Sequence, residues 1–574
     1  MTKGMTALFA SILSLSLMLA GCSSNNSNGA NSSGSATPSS SASSSATASA
    51  SSEGKSGGTV TVAQESEPGN LNPLIYATTS DTNVTHMIYD SLVEPDEELN
   101  MVGDLAKSWD ISEDGLTYTF HLNEGVKWHD GEPFTAGDVA FTFTSLADPR
   151  YDGGAYSRVQ PVVGAEDFHA GKADGVSGIK VIDDNTVSFT LASANASFLA
   201  SLFIGIVPEH ILKDVSPADW AKHDSNRNPI GTGPFKFVKW ETGQYIEVDA
   251  NPDYFGGAPK LDKVITRFGD SNTMLAAFMN QEIDIVPVPA DQVESVRTLD
   301  FADVKAANDL SVYYVGFNLK NEFFSDLKVR QALAYGTDKE LIVSSVIGEF
   351  GEVSDDLFPN AHWSHNPDVT KYPYDKDKAK QLLEEAGFTL NSGGIYEKNG
   401  KELKFTLSVP TGKTEREKTA VLLKQQWGEI GVKIEIASMD FSTLVTKLLP
   451  TGSDGKQRAV EANDYDAYIL GFGVEADPDE YRSYFDSAFM PPNGYNFVSY
   501  SNPAIDELFD KELTQTDQTE RTATFHEIGK VLSDDVPWIP IYGQKTVFAA
   551  NKKIANFNPD FRGVSFNAKD WSLN

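Results

Sequence analysis

The chain has 574 residues, with 81 Asp and Glu against 46 Lys and Arg, a formal net charge of −35. That acidic balance argues against nucleic acid as a partner and against electrostatic docking on anionic lipid. A single cysteine excludes an intrachain disulfide, a CxxC redox pair and a Cys-based zinc site.

Lys3 supplies a positive start, and Ala7 to Ala20 is an almost continuous run of apolar and small residues. The run is too short for a span of ~20 residues and has the length of a signal-peptide core. It ends in Leu19-Ala20-Gly21-Cys22, which resembles a lipobox, so residues 1–21 read as a lipoprotein signal peptide and Cys22 as the lipidated residue. Residues 22–56 form a tether; 16 of the 34 residues after Cys22 are Ser. Such a segment cannot bury enough surface to offset its ordering entropy and should span roughly 30–35 Å. About 518 residues follow, room for about three domains at ~100–200 residues each.

The first expected strand is Gly58 to Ala63, followed by a polar loop, Thr78-Thr79-Ser80-Asp81, and a helix from Val84 to Leu92. Leu116, Tyr118, Phe120 and Leu122 alternate with polar residues, the period-2 pattern of a half-buried strand. Thr135 and Asp138 predict a capping box that opens a helix with Val139, Phe143 and Leu146 on one face. In Gly231-Thr232-Gly233 no Lys-Ser/Thr follows and no helix opens, so it reads as a turn rather than a phosphate loop. Val312 to Asn318 is an aromatic strand, Asp326 a helix N-cap, and Thr337 with Glu340 a further capping box. Leu403 to Val409, Glu415 to Ile430 and Val432 to Ile436 read as strand, helix and strand, a βαβ unit closed by Gly431. Ala467 to Gly471 is an apolar strand running into the loop Phe472 to Asp479.

Leu105-Ala106, Ser108-Trp109, Asp114-Gly115, Thr117 to Phe120, Gly125-Val126-Lys127, His129-Asp130-Gly131, Thr135-Ala136 and Asp138-Val139 together resemble the signature region of bacterial extracellular solute-binding proteins of family 5. These are the oligopeptide-, dipeptide- and nickel-binding components of ABC importers. Ile206 to Leu212, Gly231 to Phe235, Gly494 to Phe497, Tyr500 to Pro503 and Asp535 to Tyr542 extend the resemblance from about residue 60 to the C-terminus.

The resemblance implies an α/β, bilobal, periplasmic-binding-protein-like fold of type II (cluster C), with three domains and two chain crossings at a hinge near Tyr313 and Tyr542. Domain I would comprise 57–91, 226–310 and 540–574, domain II 92–225, and domain III 311–539. It implies a lipid-anchored, monomeric receptor on the outer face of the cytoplasmic membrane, without a cofactor, passing peptides to an ABC permease. A nickel chelate, an oligosaccharide, an opine-like ligand or a sensed peptide pheromone are the alternatives. The ligand-contacting positions it implies are Thr78, Thr79, Ser80, Tyr313, Tyr314, Phe317, Asn318, Phe441, Gly471, Phe472, Gly473, Val474, Glu475, Asp477, Tyr495, Asn496, Phe497 and Tyr542. Each aromatic among them serves equally well as core packing.

Members of the family that clamp a free peptide N-terminus carry an acid three residues before the Asp-Pro of this loop. Here that position is Val474, and Phe472 stands where a Trp is usual. Either Glu475 or Asp477 takes the clamp's role, or the groove grips the peptide backbone and ignores its terminus. Glu475, Asp477 and Asp479 also invite a two-carboxylate hydrolase reading, but nothing in the sequence sets their separation. His362 and His365, the one close pair of histidines, lie in a loop beside Pro359, and no metal site is expected.

Overall fold

The structure is a computed structural model that describes residues 57–75 and 78–574. The expected signal peptide, Cys22 and the expected tether lie outside the described residues.

An eleven-stranded mixed sheet organises the chain. Its path runs Lys433–Met439, Lys404–Pro410, Ala467–Gly473, Ala302–Phe317, Trp538–Asn551, Ile285–Pro287, Thr59–Gln64, Lys263–Phe268, Tyr245–Ala250, Phe235–Glu241. The short strand Gly351–Val353 pairs with Trp538–Asn551 off this path. Ala302–Phe317 and Trp538–Asn551, of 16 and 14 residues, run antiparallel through both halves of the sheet. Their register is regular from Ala302↔Asn551 to Asp309↔Gln544, shifts on either side of the single pair Tyr313↔Tyr542, and is regular again from Tyr314↔Pro540. A register break bends a strand and sharpens its twist. The two halves carry separate lobes, and the architecture is α/β and bilobal.

In the lobe built on Lys404–Pro410 and Lys433–Met439, the two strands are parallel and joined by the helix Thr414–Glu429, the expected βαβ unit. Gly431 has φ +78°, the left-handed conformation that ends such a helix without a Cβ clash. The buried Trp427 indole donates to the Leu333 carbonyl at 3.1 Å and to Thr337 Oγ1 at 3.0 Å.

The other lobe adds a four-stranded antiparallel sheet, Ala106–Ile111, Thr117–Leu122, Thr186–Thr190 and Ile179–Asp183. Tyr118, Phe120 and Leu122 face inward as their alternation requires. The helix Ala136–Leu146 opens with the expected box: Thr135 Oγ1 accepts from Gly137 N at 3.2 Å, and the Asp138 carboxylate accepts from Thr135 N at 2.9 Å. Gly231 and Gly233 lie against the Ile88 carbonyl, where a Cβ would collide, so their role is close backbone approach.

Two local expectations need correction. The first helix is Thr79–Ile88, not Val84 to Leu92. Thr78 and Asp81 form a capping box, which draws Thr79 and Ser80 into the helix instead of a loop. Thr337 is not an N-cap. Its hydroxyl donates back to Leu333 O at 2.8 Å at the end of the preceding helix, and Asp338 caps Lys339–Ile342 by accepting from Leu341 N at 2.9 Å.

Candidate functional site

Two adjoining cavities lie between the lobes. The larger, of about 700 Å³, is walled on one side by Gln64–Ser66, Thr79, Ser80 and Asn83. On the other side it meets Leu310, Lys413 and Gly473–Ala476. The smaller, of about 420 Å³, is lined by Gly154, Asn195 and Ser197 from one lobe and by Asp477, Asp479 and Glu480 from the other. Both cavities touch Arg158 and Glu475, whose side chains approach to 3.5 Å. The lobes also meet at Ala196 N, which donates to Leu513 O at 2.9 Å, and at Ser197 Oγ, 3.4 Å from Asp479 Oδ2.

The strand ends explain this placement. Lys404–Pro410, Lys433–Met439 and Ala467–Gly473 are mutually parallel, so the loops after their C-terminal ends lie at one edge of the sheet. Open α/β sheets bind ligands outside that edge. Lys413 and Val474–Ala476 come from two of these loops, and Gly473 ends the strand before the second. The loop after Gly473 is held from behind by the turn at 361–365. His362 Nε2 is 3.2 Å from the Glu475 carbonyl, and Trp363 Nε1 donates to Ala476 O at 3.0 Å. Burial lowers the His362 pKa to about 4, so its ring is neutral at physiological pH.

Of the positions expected from sequence, Thr79, Ser80, Gly473, Val474 and Glu475 reach the larger cavity, and Glu475 and Asp477 the smaller. Val474 is buried, and its N–H donates to Leu310 O at 2.9 Å. Thr78 serves as the helix cap. Phe441 and Tyr495 stand exposed at 58% and 50% on the surface, outside both cavities.

The remaining positions line neither cavity, and each is engaged with other parts of the chain. Tyr314 stacks on Trp538 at 3.6 Å, and Phe317 packs against Phe324 at 4.8 Å. Tyr313 and Tyr542 stack on each other, and a Cβ at Gly471 would come within 2.9 Å of the Tyr313 ring. Phe472 packs on Tyr481 and Tyr484. Asn318 Nδ2 donates to the carbonyls of Glu461 and Tyr465, and Asn496 Nδ2 to those of Asp486 and Tyr500. Both amides are fully buried loop ties. The Phe497 carbonyl accepts from Tyr465 Oη at 2.7 Å.

Asp477 is already paired. Its Oδ2 lies 2.6 Å from Arg521 Nη1 and its Oδ1 2.9 Å from Nη2, a bidentate bridge. Arg521 also binds Glu512 Oε2 at 2.6 Å, with its side chain 5% exposed. One guanidinium thus faces Asp477 and Glu512, with Asp479 beside them. Burial pushes the Glu512 carboxyl up to about 9 and raises that of Asp479. Arg158, Asn195, Ser197, Lys413 and Glu480 were not legible as site residues, because only tertiary contact brings them to the cleft.

The chain matches the family model described as bacterial extracellular solute-binding proteins, family 5 Middle, over residues 100–490. It is 32% identical over 528 residues to the oligopeptide-binding protein AppA of Bacillus subtilis, covering 90% of this chain and 92% of that one. The structure of that AppA in complex with a nonapeptide superposes with a TM-score of 0.72 at 31% identity, covering 91% of this chain and 100% of the other. NikZ from Campylobacter jejuni, solved in complex with Ni(L-His), gives a TM-score of 0.73 at 28% identity, with 90% and 99% covered. Heme-binding protein A of Haemophilus influenzae is 31% identical over 503 residues, 85% of this chain and 87% of its own. With its bilobal periplasmic-binding-protein-like fold and a family match over most of its length, this chain belongs to the bacterial extracellular solute-binding proteins of family 5.

Proposed function

We propose that this chain captures peptides at the outer face of the cytoplasmic membrane and delivers them to an ABC importer, acting as a lipid-anchored monomer. The observation that supports the peptide reading is the pair of cavities, about 700 and 420 Å³, adjoining at Arg158 and Glu475. Single small-molecule sites occupy roughly 300–1,000 Å³. Two adjoining chambers suit an extended chain whose backbone is held while its side chains enter separate pockets. The nonapeptide complex of the Bacillus subtilis relative supports the same reading. The runner-up is a nickel chelate or heme, the ligands named for two other relatives.

Thermal unfolding with added ligand separates these readings. A peptide that binds only the folded state adds about 2.7 kcal/mol at a hundredfold excess over Kd. A random nonapeptide pool should raise the unfolding temperature, and a shift produced only by nickel–histidine or heme would replace the peptide reading.

The anchor rests on Cys22, with cleavage before it and a diacylglyceryl group on its sulfur. One acyl chain holds a protein only marginally, so two or more are needed for retention. Cys22→Ala should appear unprocessed or in the medium; unchanged processing and retention would contradict the anchor.

A further inference from the structure

Leu99, from one lobe, is buried in a hydrophobic cluster built mostly from the other, with Phe561 packed against its edge. It lies in the turn between the strands Val93–Pro95 and Met101–Gly103. It is 4% exposed and belongs to the hydrophobic cluster that includes Leu310, Val474 and Ala476. Every other buried member of that cluster among the described residues comes from position 310 or later. Met101 touches both this cluster and the core of its own lobe.

The backbone at Leu99 is held in an unusual shape to do this. Its φ is +69°, a region where a bulky side chain is rare and Gly or Asn ordinary. Asp96 maintains the turn. Its Oδ1 accepts from Glu98 N at 3.0 Å and Asn100 N at 2.8 Å, and its backbone carbonyl accepts from Leu99 N at 3.1 Å. Arg562 Nη1 donates to Pro95 O at 2.9 Å and steadies the base of the hairpin. Leu310 and Val474, partners in the cluster, also wall the larger cavity, as does Pro95.

We propose that Leu99 is a positioning residue that latches the closed cleft and sets how long ligand is retained. Opening the lobes withdraws the side chain from the far core, so its burial is gained only on closure. Such a contact slows ligand release and leaves encounter unchanged. The retention claim rests on the peptide reading; the closure claim does not.

The test compares the full chain with Leu99→Gly and Leu99→Met. Glycine suits the positive φ and removes the plug, while methionine keeps an apolar plug of similar volume. Stopped-flow release of a fluorescein-labelled random nonapeptide pool is measured, with association rate and unfolding temperature. Leu99→Gly should release the pool about tenfold faster, equivalent to about 1.4 kcal/mol, with association unchanged. Leu99→Met should release it at close to the wild-type rate. A lower unfolding temperature with an unchanged release rate would reduce Leu99 to a structural residue and overturn the proposal. If the wild type binds none of the pool, the peptide reading fails and solution scattering of the unliganded chains decides the latch. A larger radius of gyration for Leu99→Gly supports it, and equal radii overturn it.

Discussion

Tyr313 and Tyr542 stack face to face, 4.8 Å between ring centroids and 17° between planes, where the two longest strands lose and regain their register. Tyr313 Oη also accepts from Gln544 Nε2 at 3.0 Å. The pair joins the two strands at their register break, so the rings belong to the frame. Tyr542 is fully buried. Tyr542→Ala should cost about 3–5 kcal/mol of stability, the range for removing a buried aromatic ring. The exposed Tyr495→Ala should cost about 0.5 kcal/mol or less. Urea unfolding of both variants measures the difference, and equal losses would contradict this placement.

The buried acids around Arg521 predict a pH dependence. Glu512 has its folded pKa raised to about 9 by burial, well above the ordinary glutamate value. A raised carboxyl contributes stability that is fully present below the unfolded pKa and is lost as pH rises through the folded pKa. The margin between wild type and Glu512→Gln should therefore shrink from about pH 5 to pH 9, because the amide cannot ionise. A change of at least about 1 kcal/mol is expected. A margin that stays constant or grows over that window would show that Glu512 is ionised throughout.

The fate of Asp477 bears on how a peptide terminus is treated. Both of its oxygens are bound by Arg521, and Val474 carries no charge. Among the acids weighed for the clamp, Glu475 alone has a side chain more than half exposed, and it faces Arg158. A groove that holds backbone should tolerate N-acetylation of its peptide with a loss below about 1 kcal/mol. A clamped ammonium would lose roughly 2–5 kcal/mol. Calorimetry on a peptide and its acetylated form decides this. A large loss that disappears in Glu475→Gln would identify that residue as the clamp.

Local signals in the sequence carried much of the fold. The alternation from Leu116 to Leu122, the Thr135–Asp138 cap and the strand-helix-strand closed by Gly431 each depend on neighbours within a few positions, and each formed as read. The interior aromatics were ambiguous for a physical reason. Residues 310–317 are buried without alternation, so periodicity could not tell a cavity wall from a core. Arg158 and Glu475 meet only through the tertiary fold, and nothing near either residue announces the other. Asp477 looked available because its partner Arg521 lies 44 positions away.

Mass spectrometry of the native protein, purified without ligand exchange and then denatured to release its cargo, tests the central claim most directly. The account predicts peptides of mixed sequence, released in about one equivalent per chain. A nickel–histidine chelate, heme or a sugar in their place would contradict it.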